Sequence, residues 1–214
     1  MNVLIIAAHP DDEVLGCGGT IARHVVEGDE VRVLFVADGE TARAMHNKEN
    51  RNIAAKTAGD ILGISHIHFL DHPDQRLDQI SLLDLTRQVE EHIAAIKPRT
   101  VYTHHAGDLN EDHKIVHQIA MTALRPLPGS SVKEIYAFEV PSSTEWGTGF
   151  SPNHFVNISA LHQRKVEALS CYESEMRAAP HARSYSAIGA LNRLRGHQVG
   201  FAYAEAFMTL RTLR

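Results

Sequence analysis

Apolar residues run along the chain in two alternating patterns. Val3 to Ala8 is a continuous apolar run, which is how a strand covered on both faces of a parallel sheet reads. Val31 to Ala37 is a second such run, rich in valine. Between them, Gly18 to Gly28 places Thr20, Ile21, Ala22, Val25 and Val26 at helical spacing, so the first segment predicts a βαβ unit. The alternation continues with a helix over Asn47 to Leu62 ending at Gly63, a short strand His66 to Leu70, and an amphipathic helix Leu82 to Lys97 stopped by Pro98. A strand Thr100 to Thr103, a helix Asp112 to Leu124 and strands Glu134 to Val140 and Phe155 to Ile158 come next, then a helix Ala160 to Glu173 and a last strand Ala202 to Leu210.

Strands alternating with helices predict the α/β class: a Rossmann-like, doubly wound, mostly parallel sheet with helices on both faces. The 214 residues suit one domain spanning 1–214. No repeat or low-complexity tract breaks it. Residues 126–153, with four of the eight prolines, and the irregular stretch Arg177 to Tyr185 read as loops that shape a site.

Composition excludes several classes. The two cysteines, Cys17 and Cys171, form no CxxC pair, so a disulfide scaffold is excluded and a reducing, cytoplasmic setting is expected. A net charge of −5 with scattered basic residues argues against a nucleic-acid partner. No apolar run approaches the roughly 20 residues that span a bilayer, and the start MNVLIIAAHPDDE lacks the basic region of a secretion signal. The 15 histidines change the picture most, because histidine is both the commonest metal ligand and the usual acid-base group near neutral pH.

In open α/β sheets ligands bind beyond the carboxyl ends of the strands. Four successive strands run into His9-Pro10-Asp11-Asp12-Glu13, Asp38-Gly39-Glu40, Asp71-His72-Pro73-Asp74 and His104-His105-Ala106-Gly107-Asp108. Pro10 turns the chain after His9, and adjacent carboxylates diverge: one can join His9 on a metal while its neighbour stays free to take a proton from water. Asn110 can cap the next helix, which sets His113 in its first turn, facing those strand ends. Two histidines and a carboxylate with a position left open is a catalytic zinc arrangement, and no cysteine ligand is in view. His117, at i+4 from His113, does not make HExxH, since Lys114 stands where that motif needs glutamate. The glycines Gly16, Gly18 and Gly19 suggest a dinucleotide turn, but Ile21 occupies the third glycine position of GxGxxG; they are better suited to close packing of the first helix on the sheet.

AHPDDE at Ala8 to Glu13, Asp112-His113, Arg51 in a helix leading into LG, FLDHPDQRL at Phe69 to Leu77 and YAEAF at Tyr203 to Phe207 together resemble the PIG-L/LmbE-like family of zinc-dependent N-deacetylases, which includes enzymes of mycothiol and bacillithiol synthesis. The resemblance spans nearly the whole chain. It implies Zn2+ on His9, Asp12 and His113 and Asp11 as general base; the same ligand set could also take Fe2+ or Co2+. It also implies removal of an acetyl group from a small N-acetylated amino-sugar conjugate, and assembly as a homo-oligomer. Many relatives read HxDH, with a histidine that stabilises the oxyanion; Asn110 stands there in this chain. His105 is then expected in that role ahead of His104, with Asn110 as the other donor. Arg51, Asn110 and Asp108 are the expected substrate contacts. Trp146, Phe150 and Tyr136 could offer a stacking face for a sugar ring.

Overall fold

The computed structural model describes residues 1–42 and 51–214. The order is β1 (Asn2–Ala7), α1 (Asp12–Val26), β2 (Glu30–Ala37), α2 (Arg51–Leu62), β3 (His66–His72), α3 (Leu82–Ile96), β4 (Thr100–His104), α4 (Glu111–Ala123), β5 (Glu134–Phe138), β6 (His154–Asn157), α5 (His162–Ser170), α6 (Tyr185–His197) and β7 (Ala204–Thr212). The expected start of the second helix at Asn47 lies outside the described residues.

The seven strands form one sheet in the order β3-β2-β1-β4-β5-β7-β6. The first five are parallel, and β7 runs antiparallel to β5 and β6. The continuous apolar run of β1 is explained by its position: Val3, Ile5 and Ala7 enter one core with residues of α1, α2 and α5, while Leu4, Ile6 and Ala8 enter the other with α3 and α4. Chain order reverses between β1 and β4, which pair in register from Val3 with Thr100 to Ile5 with Tyr102. That is the switch point where an open α/β sheet leaves a crevice at its strand carboxyl ends. Ala8 N–H donates to His104 Nε2 there at 2.8 Å, tying the two strand ends together. Among the described residues no helix is long and apolar enough to cross a membrane.

Two elements differ from expectation. The first helix starts at Asp12 instead of Gly18 and runs through the glycines, with non-helical geometry at Cys17 (φ −142°, ψ 20°). A Cβ on Gly16 would come within 2.4 Å of the Phe138 ring, and one on Gly19 within 2.7 Å of Ile158, so these glycines do let the helix lie close on the sheet. The sixth helix, α6, forms where the sequence pattern predicts no element. Its only buried residues are Ile188, Asn192 and Gly196, too few to mark an apolar stripe, and its start is set by Ser184, whose side chain accepts from Ala187 N–H.

Candidate active site

Pro10 ends the β1 run, and Asp11 follows in a strained conformation (φ 129°, ψ −30°). Glu13 holds it there: its Oε2 accepts from Asp11 N–H at 3.0 Å, while Tyr172 Oη–H donates to Oε1 at 2.6 Å. Burial pushes the Glu13 carboxyl up to about 8. The Asp11 carbonyl receives the N–H groups of Val14 and Leu15, opening α1, but the Asp11 side chain makes no cap and turns away.

The two aspartates therefore face different partners. Asp11 Oδ2 accepts from Arg183 Nη1 at 2.8 Å and Arg51 Nη2 at 3.4 Å. Asp12 Oδ2 accepts from His9 N–H at 2.9 Å and lies 3.3 Å from both His9 Nδ1 and His113 Nε2. Burial raises the Asp11 carboxyl in spite of the two guanidiniums. For Asp12 burial acts in the same direction, but the imidazoles of His113 and His104 outweigh it and hold the carboxyl well below its ordinary value.

Each imidazole has a carboxylate behind it. His9 Nε2 lies 3.0 Å from Asp112 Oδ2 and 3.1 Å from Asp74 Oδ1, and Asp112 is fixed by the N–H groups of Gln75 and Leu77. His113 Nδ1 lies 3.2 Å from Asp108 Oδ1. A proton shared between His9 Nε2 and Asp112 leaves His9 Nδ1 turned to Asp12 as a bare lone pair, the arrangement that orients histidine on a metal, while His113 turns Nε2 to Asp12 with Asp108 beside its Nδ1. Ligand atoms of His9, Asp12 and His113 all lie within 4.8 Å of one another. Asp12 Oδ1 and both ring nitrogens of His113 are buried and make no hydrogen bond among the described residues, although buried polar atoms are normally satisfied. Two imidazoles, a carboxylate and these orphaned atoms fit a divalent cation with an open coordination position.

The long loop after β5 forms the wall. Ser143 and Thr144 donate to Asp108 Oδ2 at 3.1 and 2.5 Å, Ser142 Oγ accepts from Arg183 Nε at 2.8 Å, and the Thr148 carbonyl lies 2.7 Å from His105 Nε2. Asp108, expected at the substrate, is 1% exposed with both oxygens engaged by the protein. It backs His113; burial opposes its charge, but His113 and Thr144 bring its carboxyl down to about 2. Asn110 caps α4, its Oδ1 accepting from the N–H groups of Asp112 and His113. Arg51 is buried against Asp11 and Glu175. Of the two histidines ending β4, His104 stacks on His113 with ring centroids 4.0 Å apart, whereas His105 packs against Phe150. Trp146 is 72% exposed, and Tyr136 is buried in a stack with Tyr102 and His154. His117 Nδ1 bonds the His104 carbonyl at 2.8 Å.

Sequence reasoning did not single out Arg183 or Glu175. Arg183 falls within the stretch read as site-shaping, but neither residue belongs to a motif that would have marked it.

The family described as PIG-L, GlcNAc-PI de-N-acetylase, matches residues 4–124. The uncharacterized deacetylase YaiS of Escherichia coli (strain K12) is 30% identical over 181 residues, covering 81% of this chain and 91% of that protein. A diacetylchitobiose deacetylase of Thermococcus kodakarensis is 28% identical over 193 residues, covering 81% and 70%. The crystal structure of GalB, the 4-carboxy-2-hydroxymuconate hydratase of Pseudomonas putida KT2440, superimposes with a TM-score of 0.79 at 23% identity, covering 100% of this chain and 97% of that one, and so shares the fold. By the span of the family match and the likeness to YaiS, this chain belongs to the PIG-L family, whose relatives here are LmbE-like sugar deacetylases.

Proposed function

We propose that this single-domain protein is a zinc-dependent hydrolase that removes the acetyl group from an N-acetylated amino sugar or its conjugate. One observation carries the reading: Asp11 and Asp12 are adjacent yet face opposite partners, Asp12 the two histidines and Asp11 the two arginines. His9, Asp12 and His113 would hold Zn2+, with Fe2+ or Co2+ as alternative occupants. Such a cation, when bound, supplies Lewis acidity at the amide carbonyl and makes water acidic near neutral pH.

The protein's own groups do the rest. Asp11, which burial makes more basic than a solvated carboxylate, takes a proton from the attacking water and returns it to the departing amine. The carboxamide N–H of Asn110, whose Oδ1 is committed to α4, or the Nδ1–H of a protonated His105, whose Nε2–H is spent on the Thr148 carbonyl, donates to the carbonyl oxygen as charge builds there. Arg51 presents N–H groups to the sugar. Asp108 and Asp112 keep the two ligand histidines oriented. We place the enzyme in the cytoplasm as a homo-oligomer acting on a small molecule, with no nucleic-acid partner.

The same residues would serve another amide or ester, and the fold is shared with a hydratase, so the identity of the product is the deciding readout. Purified protein is to be measured for metal by mass spectrometry and for amine release from a panel of N-acetylglucosamine derivatives, as wild type and Asp11→Asn. About one zinc per chain is expected in both, with turnover lower by about 10²- to 10⁴-fold in the variant. Undiminished turnover by Asp11→Asn overturns the base assignment, and metal retained by His113→Ala overturns the ligand set.

A further inference from the structure

Four charged groups meet around Asp11 at the edge of this site. Glu175, 3% exposed in the short 3-10 turn Glu173–Glu175 after α5, places Oε2 2.5 Å from Arg51 Nη2 and 3.6 Å from Arg183 Nη1. The same two guanidiniums reach Asp11 Oδ2 at 3.4 and 2.8 Å. Arg51 and Asp11 are 4% and 2% exposed, and Ser142 fixes Arg183 from the other side. Two cations thus face two anions, all largely out of water.

Paired arginines at the base of a sugar site are suited to a carboxylate or phosphate, which they grip through parallel N–H bonds. Here Glu175 already occupies that position. A substrate acid entering beside Asp11 would add a third negative charge next to the two carboxylates that already face Arg51 and Arg183. Among the described residues it would meet no guanidinium or ammonium group that a carboxylate does not already pair, in a setting where screening is weak. Sugar hydroxyls meet no such penalty, because each guanidinium has five N–H donors and the carboxylates spend only some of them.

We propose, on the deacetylase reading above, that Glu175 sets the charge class of the substrate: the site takes uncharged N-acetyl glycosides and turns away those with an acid group next to the acetamido sugar. Glu175 is a specificity-determining residue that acts by filling the anion position of Arg51 and Arg183. Rejection comes from like charge placed at close range, which is how partners are excluded electrostatically.

The test compares the methyl and malyl glycosides of N-acetylglucosamine, which differ in the charge of the group attached to the anomeric carbon, the ring neighbour of the carbon that bears the acetamido group. Zinc-loaded wild type and Glu175→Gln are assayed for amine release and for calorimetric dissociation constants, with folding checked by circular dichroism. Wild type is expected to favour the methyl glycoside by about tenfold or more, and Glu175→Gln to shift the ratio by a similar factor toward the malyl compound. A wild type that favours the malyl glycoside, a folded Glu175→Gln with an unchanged ratio, or binding of neither glycoside at millimolar concentration overturns the assignment. The wild-type ratio decides the matter by itself if the variant does not fold. If neither glycoside is turned over, the deacetylase reading falls, and the ratio of dissociation constants still decides this one.

Discussion

Lys165 Nζ lies 2.6 Å from Glu205 Oε1, and together the two side chains repair the break in α1. The chain leaves helical geometry at Cys17, which frees the Leu15 carbonyl on one side and the Gly19 and Thr20 N–H groups on the other. Lys165 Nζ donates to the Leu15 carbonyl at 2.8 Å, and the Glu205 carboxylate accepts from Gly19 N–H at 3.0 Å, Thr20 N–H at 2.7 Å and Thr20 Oγ1–H at 2.6 Å. Both charges are buried, so removing one strands the other. Glu205→Ala and Lys165→Met are each expected to cost about 3–5 kcal/mol. The double variant should cost clearly less than their sum, as read from urea unfolding at equilibrium. Strict additivity would show that the pair does not act as a unit.

Asp112 and Asp108 stand behind His9 and His113, so their expected effect is on metal affinity ahead of chemistry. Asp112→Asn and Asp108→Asn should each weaken zinc binding by about 10- to 100-fold, measured by competition with a chelating dye. Affinity equal to wild type in both variants would remove these carboxylates from the metal's support.

Asp108 also predicts an acid response. Its folded carboxyl sits at about 2, below the ordinary 3.8, because His113 and Thr144 outweigh burial. As pH falls the unfolded chain takes the proton first. The stabilisation is therefore complete above about pH 5 and is lost as pH drops through about 4 toward 2. The shift corresponds to about 2 kcal/mol at neutral pH. The stability difference between the metal-free wild type and Asp108→Asn, taken from urea unfolding, should be of that order at pH 6 and shrink by pH 3. A difference that stays constant with pH would assign the loss to packing.

The parts legible in the sequence are those in which one physical constraint dominates a stretch of chain. β1 reads correctly because both faces are buried and every position from Val3 to Ala7 is apolar. His9, Asp12 and His113 come together because they follow β1 and β4, neighbours at the point where strand order reverses. The start of α1 is hidden by its glycines, which sequence rules count against a helix although the close sheet requires them. α6 is hidden because its buried side is narrow, yet its capping serine at Ser184 was there to be read. Glu175 and Arg183 are beyond local reading altogether. Their roles depend on the side chains of Asp11, just before α1, and Arg51, in α2, more than a hundred positions away.

The glycines divide into those the packing demands and those it does not. Gly16 lies on the sheet, where a Cβ would sit 2.4 Å from the rigid Phe138 ring. Phe138 is fully buried and also packs against His104, so the ring cannot give way without moving the floor of the site. Gly16→Ala is expected to lose about 1–3 kcal/mol. Gly189 sits inside α6 with nothing within 4 Å of an added Cβ. Its replacement by alanine removes only backbone freedom of the unfolded chain and should add about 0.5–1 kcal/mol. Thermal melting of the two variants should therefore move in opposite directions from wild type. A stabilised Gly16→Ala would mean that α1 has room to lift from the sheet, and the close approach would no longer account for the glycines that follow the two aspartates.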